Sequence, residues 1–137
     1  MVSEEISMLE LKNVSKFYYN KGMVSAGFSR VSLKFNLGEF IAITGESGSG
    51  KSTLLNVISG LDSYEEGEMY INGEETSHYN EKDYEEYRKK YVGNIFQNFN
   101  LINSYTVYQN IELVLLLNGK KKKDIKDKVI EIRKFLN

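Results

Sequence analysis

The stretch GESGSGKS at residues 45–52 constrains this chain more than any other part of its sequence. It is preceded by a continuous apolar run, Phe40, Ile41, Ala42 and Ile43, of the kind expected for a strand buried on both faces. After it, Leu54, Leu55, Val57, Ile58 and Leu61 recur at helical spacing, and Gly60 offers a helix stop. The order is therefore strand, glycine-rich turn, helix. Gly45, Gly50, Lys51 and Ser52 satisfy the pattern G-x-x-x-x-G-K-[ST], which recurs by accident in roughly 0.5% of chains this long.

That pattern has a chemistry. Gly45, Gly48 and Gly50 let the backbone turn tightly and approach an anion with no Cβ in the way. Successive amides form a concavity for phosphate, reinforced by the positive end of the following helix. Lys51 adds a mobile positive charge for the β- and γ-phosphates, and Ser52 a hydroxyl for magnesium. The dinucleotide fingerprint G-x-G-x-x-G does not fit, because Thr53 stands where its third glycine belongs. A cradle for nucleotide phosphates is the reading.

The flanking pattern places further elements. Leu9, Leu11, Val14 and Phe17 alternate roughly, and Val31, Leu33, Phe35 and Leu37 alternate cleanly, so an antiparallel pair is expected. Gly22 and Gly27 lie between them and read as a loose turn. Residues 68–72 form a short strand into Gly73, residues 80–90 a charged helix, and residues 91–96 another strand. Tyr84, Tyr87 and Tyr91 would pack that helix onto the domain. Thr106 can cap a helix bearing Val107, Ile111 and Val114, and Ile125, Val129, Ile132 and Leu136 mark one more. Residues 120–123 are lysines, read as a solvated loop that could face a lipid surface.

Composition excludes other chemistries. No cysteine means no disulfide or thiolate site, and one histidine, His78, rules against a multi-histidine metal centre or a Ser-His triad. Eighteen basic against nineteen acidic residues give a net charge of -1 in 137 residues, so no nucleic-acid partner is expected. The start carries two early glutamates without a long apolar core, and the longest apolar run is residues 113–117. Neither a secretory signal nor a membrane span is read, and a soluble, intracellular chain is expected.

Several segments taken in order resemble the ATP-binding subunits of ABC transporters: LKNVSKFYY, FIAITGESGSGKSTLLNVISGLD, GEMYINGEE, GNIFQNFNL and TVYQNIEL. The resemblance extends over essentially the whole chain. The segment YRKKYVGNIFQNFNLINSYTVYQNI is most similar to the branch of lipoprotein-release, macrolide-export and antimicrobial-peptide ATPases. The implied fold is α/β: a partial P-loop (RecA-like) core with a small antiparallel sheet over residues 1–105, and the start of a helical subdomain over 106–137. The resemblance implies ATP and Mg2+ as ligands. Tyr18 would stack on adenine, Gly45, Ser47, Gly48, Ser49 and Gly50 would line the phosphates, and Lys51 would hold the terminal ones. Thr53 would reach the α-phosphate; Ser52 and Gln97 would serve magnesium, with Gln97 also reporting occupancy to a transmembrane subunit.

The departures are as informative. The sequence contains no Gly-Gly pair for a signature motif. It has no apolar run ending in the Walker B aspartate and catalytic glutamate, and no histidine after Gln97. The chain thus resembles the N-terminal part of one ATP-binding domain, whose expected partners are a transmembrane subunit and a second ATP-binding subunit. Weak nucleotide binding, negligible hydrolysis by itself and open apolar surface are expected, with the complete protein cytoplasmic and peripheral on the inner face of the cell membrane. The lead function is ATP binding that powers export or extraction. Alternatives are a non-transport signalling or cell-division complex of similar type, a P-loop GTPase (which lacks support from any N-K-x-D motif), and an inactive fragment.

Overall fold

The computed structural model describes residues 7–135. They form two compact units, one extending up to Val92 and one from Gly93 onward. Leu136, placed in the last helical stripe, and the N-terminal residues read for a signal lie outside the described residues.

The first unit is built on a four-stranded antiparallel sheet of order β2-β1-β3-β4. Its strands are β1 (Ser7–Asn20), β2 (Met23–Asn36), β3 (Glu66–Ile71) and β4 (Glu74–Glu75). Two tight turns close the β1–β2 and β3–β4 hairpins. Lys21 and Gly22 have φ of 45° and 82°, and Asn72 and Gly73 have 50° and 80°, the left-handed pairs that suit the right-handed twist of flanking strands. With β1 paired to β2 on one side and to β3 on the other, Leu9 stands beside Phe35 and Ile71, and Leu11 beside Leu33 and Met69. Leu9, Leu11, Met69 and Ile71 bury one face of the sheet.

Two helices cover that face. From α1 (Lys51–Ile58), Leu54 and Val57 enter the same apolar cluster. The second, α2 (Glu81–Tyr91), starts at a capping box in which Asn80 accepts from the amides of Lys82 and Asp83 while Asp83 accepts from the Asn80 amide. Tyr84 and Tyr87 pack against the cluster, as their spacing implied, and the Tyr87 hydroxyl donates to the Ile58 carbonyl at 2.7 Å. This contact is why residue 60 is glycine: an added Cβ would stand 3.0 Å from the Tyr84 ring and 3.1 Å from that of Tyr87.

In the second unit α3 (Val107–Leu117) and α4 (Lys122–Phe135) pack together. Thr106 caps α3, accepting from the Gln109 amide while the Gln109 side chain accepts from the Thr106 amide. Ile125 and Val129 of α4 are buried, whereas α3 buries no residue. Among the described residues no helix is long and apolar enough to cross a membrane.

The structure corrects four local expectations. Gly27 lies inside β2, not in the turn, because the hairpin closes at residues 21 and 22. Phe40 to Ile43 pair with no strand among the described residues, and Phe40 is fully exposed, at 100%. Residues 92–96 likewise form no strand. A continuous apolar run becomes a strand only where a neighbouring strand pairs with its backbone, and no described strand runs beside either segment. Lastly, Lys122 and Lys123 belong to the first turn of α4 and not to a loop.

Candidate functional site

The glycine-rich loop folds as a cradle at the start of α1. Gly48 and Gly50 adopt φ of 79° and 93°, conformations that a side chain would strain. At Gly50 a Cβ would collide with the Gly27 carbonyl, and at Gly45 it would come within 2.9 Å of the Ser49 hydroxyl. The N-cap of α1 is Gly50 itself, with no side-chain cap, so the first-turn amides stay available to an anion. No acidic residue stands in that first turn.

Lys51 curls back over the loop. Its ammonium donates to the carbonyls of Gly45 at 2.7 Å and Glu46 at 2.5 Å and to the Ser49 hydroxyl at 3.1 Å. All three of its donors are thereby engaged, and the positive charge is held inside the cradle. The Ser49 amide is turned onto the Glu46 carbonyl at 3.2 Å, so this amide is committed to the loop's own turn.

The cavity at the loop measures about 610 Å³, within the roughly 300–1,000 Å³ of small-molecule sites. Gly45, Ser47, Gly48, Gly50, Lys51, Ser52 and Thr53 line it, together with Tyr18, Ala26 and Gly27 from the first hairpin. Tyr18 is thus brought to residues more than twenty-five positions away in sequence. Ser49 is not among the walls, although its hydroxyl holds Lys51. Among the described residues no carboxylate lines the cavity. Gln97, in the second unit, is exposed on a turn spanning residues 97–100.

Sequence reasoning missed three residues around this cavity. Gly27 lets the Thr53 methyl and the Tyr18 ring close on the hairpin: a Cβ there would lie 2.7 Å from the first and 3.0 Å from the second. Lys16, only 5% exposed, donates to Asp62 at 2.9 Å, Glu65 at 3.1 Å and the Ser63 hydroxyl at 3.4 Å. Burial alone would lower the Lys16 pKa, but its hydrogen bonds to Asp62 and Glu65 and their charges outweigh that and raise it. Burial would lift the Asp62 carboxyl; hydrogen bonds from Lys16 and the Ser63 amide, with the Lys16 charge, hold it below the usual carboxylate range. Only the spacing of Lys16 two residues before Tyr18 was visible beforehand, and nothing in the local pattern marked Asp62.

Residues 28–137 match the ABC transporter family. The chain belongs to it. Its α/β architecture agrees: a dimeric ATP-binding cassette in a post-hydrolysis state, bound to ADP and Pi, superposes with a TM-score of 0.80 at 36% identity. That likeness covers 90% of this chain and 55% of the cassette. A methionine import ATP-binding protein of Clostridium acetobutylicum is 42% identical over 130 residues, 95% of this chain and 39% of the relative. Another, from Staphylococcus epidermidis, is 39% identical over 129 residues, 94% of this chain and 38% of the relative. The chain therefore spans about two-fifths of the length of these curated relatives. They are import proteins by name, so they lend no support to the exporter branch expected from residues 87–111.

Proposed function

We propose that this chain carries the principal ATP-binding elements of an ABC transporter ATPase, as the N-terminal part of one ATP-binding domain. The observation that carries the reading is the single cavity in which Tyr18 faces the loop residues 45–53. A flat aromatic wall at one end and an uncapped helix start with a lysine at the other match the two ends of a nucleotide.

In this reading Tyr18 stacks on adenine. Gly45, Ser47, Gly48 and Gly50 shape the phosphate cradle, and Ser49 contributes its hydroxyl to Lys51 and, after the loop adjusts, its amide. Lys51 exchanges its carbonyl partners for the terminal phosphates, which an ammonium does readily because its donors have no fixed plane. Thr53 reaches the α-phosphate. Ser52 is the hard oxygen donor suited to magnesium, which is typically held by one or two protein oxygens together with substrate phosphates. Magnesium, when bound there, supplies charge compensation across the phosphate oxygens. The resemblance gives Gln97 a part in magnesium binding and in reporting occupancy to a transmembrane subunit, and its amide suits that part because it can donate and accept while uncharged.

Because no carboxylate among the described residues lines the cavity, the base or water-orienting group for hydrolysis comes from elsewhere in the complete domain, which would act with a transmembrane subunit and a second ATP-binding subunit. ATP-powered transport at the membrane's cytoplasmic face is the proposed role. Its direction is left open, since the export reading rested on residues 87–111 alone and the named relatives import methionine.

Titration of the full-length protein with a non-hydrolysable ATP analogue and magnesium tests this. Lys51→Ala should weaken binding by at least about tenfold, as loss of a charge-assisted contact does. Undiminished affinity in that variant, or clear preference for the GTP analogue, would overturn the reading.

A further inference from the structure

The structure assigns Asp62 as a positioning residue that fixes the Tyr18 ring relative to the phosphate loop, setting how strongly the adenine end of the nucleotide is held. The inference rests on the adenine-stacking reading above and adds to it the group that aims the ring.

Tyr18 is the middle of three successive aromatics, and Tyr19 beside it is 71% exposed. What distinguishes Tyr18 is its tether. Its hydroxyl donates to Asp62 Oδ2 at 3.2 Å, while Asp62 Oδ1 accepts from the Lys16 ammonium at 2.9 Å and from the Ser63 amide at 2.8 Å. Both carboxylate oxygens are thus engaged. Lys16 sits 5.2 Å from the centre of the Tyr18 ring, close enough for a cation–π attraction on the same side chain.

The backbone of Asp62 is itself anchored. The amides of Leu61 and Asp62 both donate to the Asn56 carbonyl, at 2.8 and 3.2 Å, which ties residue 62 to the C-terminal half of α1. The N-terminus of that same helix is the phosphate cradle. One rigid element therefore carries the loop at its start and, through Asp62, the tyrosine hydroxyl at its end. Glu65 adds a second link, accepting from both the Lys16 ammonium and the Phe17 amide at 3.1 and 2.8 Å.

A ring held this way has its rotamer chosen before ligand arrives, so less freedom is lost on binding. Only the base should sense it. The phosphates meet the loop, which does not use the tyrosine hydroxyl.

The test compares two probes on the full-length protein: a non-hydrolysable ATP analogue and inorganic tripolyphosphate, each with magnesium. Tyr18→Phe keeps the ring and removes the tether. It should weaken the ATP analogue about three- to tenfold and leave tripolyphosphate unchanged. Asp62→Ala, which removes the tether together with the Lys16 partner, should weaken the ATP analogue at least as much as Tyr18→Phe does. Adding Tyr18→Phe to it should cost little more, since the hydroxyl has already lost its acceptor. Where Asp62→Asn is used instead, an effect smaller than that of Tyr18→Phe is expected, because its amide oxygen can still accept from the tyrosine. If Asp62→Ala does not fold, Tyr18→Phe alone decides. Parental affinity of Tyr18→Phe for the ATP analogue would overturn the inference, as would equal weakening of both probes, which would mark a general loss of structure. Tyr18→Leu separates the two levels of the argument: stacking predicts about a ten- to hundredfold loss for the ATP analogue. If Tyr18→Leu binds like the parent, the stacking reading itself fails; if it weakens while Tyr18→Phe does not, only the positioning role fails.

Discussion

The two units of this chain use their apolar residues in opposite ways. In the first, Leu11, Val14, Val57 and Met69 are at most 1% exposed, and the sheet and α1 close over them. In the second, α3 is the most apolar helix of the chain by composition yet buries none of its residues; Val107 and Leu117 are 79% and 70% exposed. Hydrophobicity alone therefore does not make a core. Leu11 finds Leu33 across the β1–β2 hairpin and Met69 across the long-range β1–β3 pairing, whereas α3 packs with α4 inside the second unit. Strand pairing on both sides of β1 supplies partners to the first set, and the apolar residues of α3 remain exposed.

The sharpest way to break that contrast is to shorten one side chain in each region. Leu11→Ala should destabilise the first unit by about 2–5 kcal/mol, the range for a leucine removed from a packed interior. Leu117→Ala should change stability by less than about 0.5 kcal/mol, as exposed substitutions do. Denaturant unfolding, followed by sheet-sensitive circular dichroism for the first and helix signal for the second, measures both. A Leu117→Ala cost matching that of Leu11→Ala would mean that the α3 face is covered in solution, and the contrast would be lost.

A second prediction sharpens the contrast through titration. Burial is the main reason the Tyr87 hydroxyl is pushed up to about 12. In the unfolded chain a tyrosine ionises near pH 10, so the contribution of the neutral phenol is fully present below that value and is lost as the pH rises from 10 to 12. The shift corresponds to about 2–3 kcal/mol. Tyr87→Phe cannot ionise; the stability gap between parent and variant should therefore drift across that window, against the parent. A gap that is constant from pH 9 to 12 would show that Tyr87 does not pack α2 onto α1 in solution.

The same contrast explains what was legible beforehand. The phosphate loop, α1 and its glycine stop, the helix α2, the capped start of α3, and the strands β1 and β3 follow from patterns within a few residues: G-x-x-x-x-G-K-S, helical spacing, period-two alternation, and Thr106 ahead of an apolar helix. So did Tyr18 at the cavity wall, though only through resemblance to the family. The failures share a cause. Phe40 to Ile43 and residues 91–96 read as strands because their apolar runs imply neighbours that the described residues do not supply, and Tyr91 instead ends α2. Gly27 read as a turn because glycine marks turns more often than close packing, and its reason for being glycine, the approach of Thr53 and Tyr18, lies in another part of the chain. Asp62 was invisible for the same reason: its partners, Lys16 and Tyr18, are over forty positions away.

The smallest predicted effect compares the two units at matched chemistry. Both α2 and α3 begin at reciprocal capping boxes, so Asn80→Ala and Thr106→Ala should each remove about 1 kcal/mol of local helix stability. Their reach should differ. The helix behind Asn80 presses Tyr84 and Tyr87 into the apolar cluster, so its loosening is felt by residues such as Val57 and Met69. Behind Thr106 there is no buried side chain to transmit the change. Amide hydrogen exchange reads the distinction directly: faster exchange spread across β1, β3 and α1 in the first variant, and confined to the first turns of α3 in the second. Equal confinement in both would mean that α2 is a covering added to a core already complete without it, and that the cohesion of the first unit resides in the sheet and α1 alone.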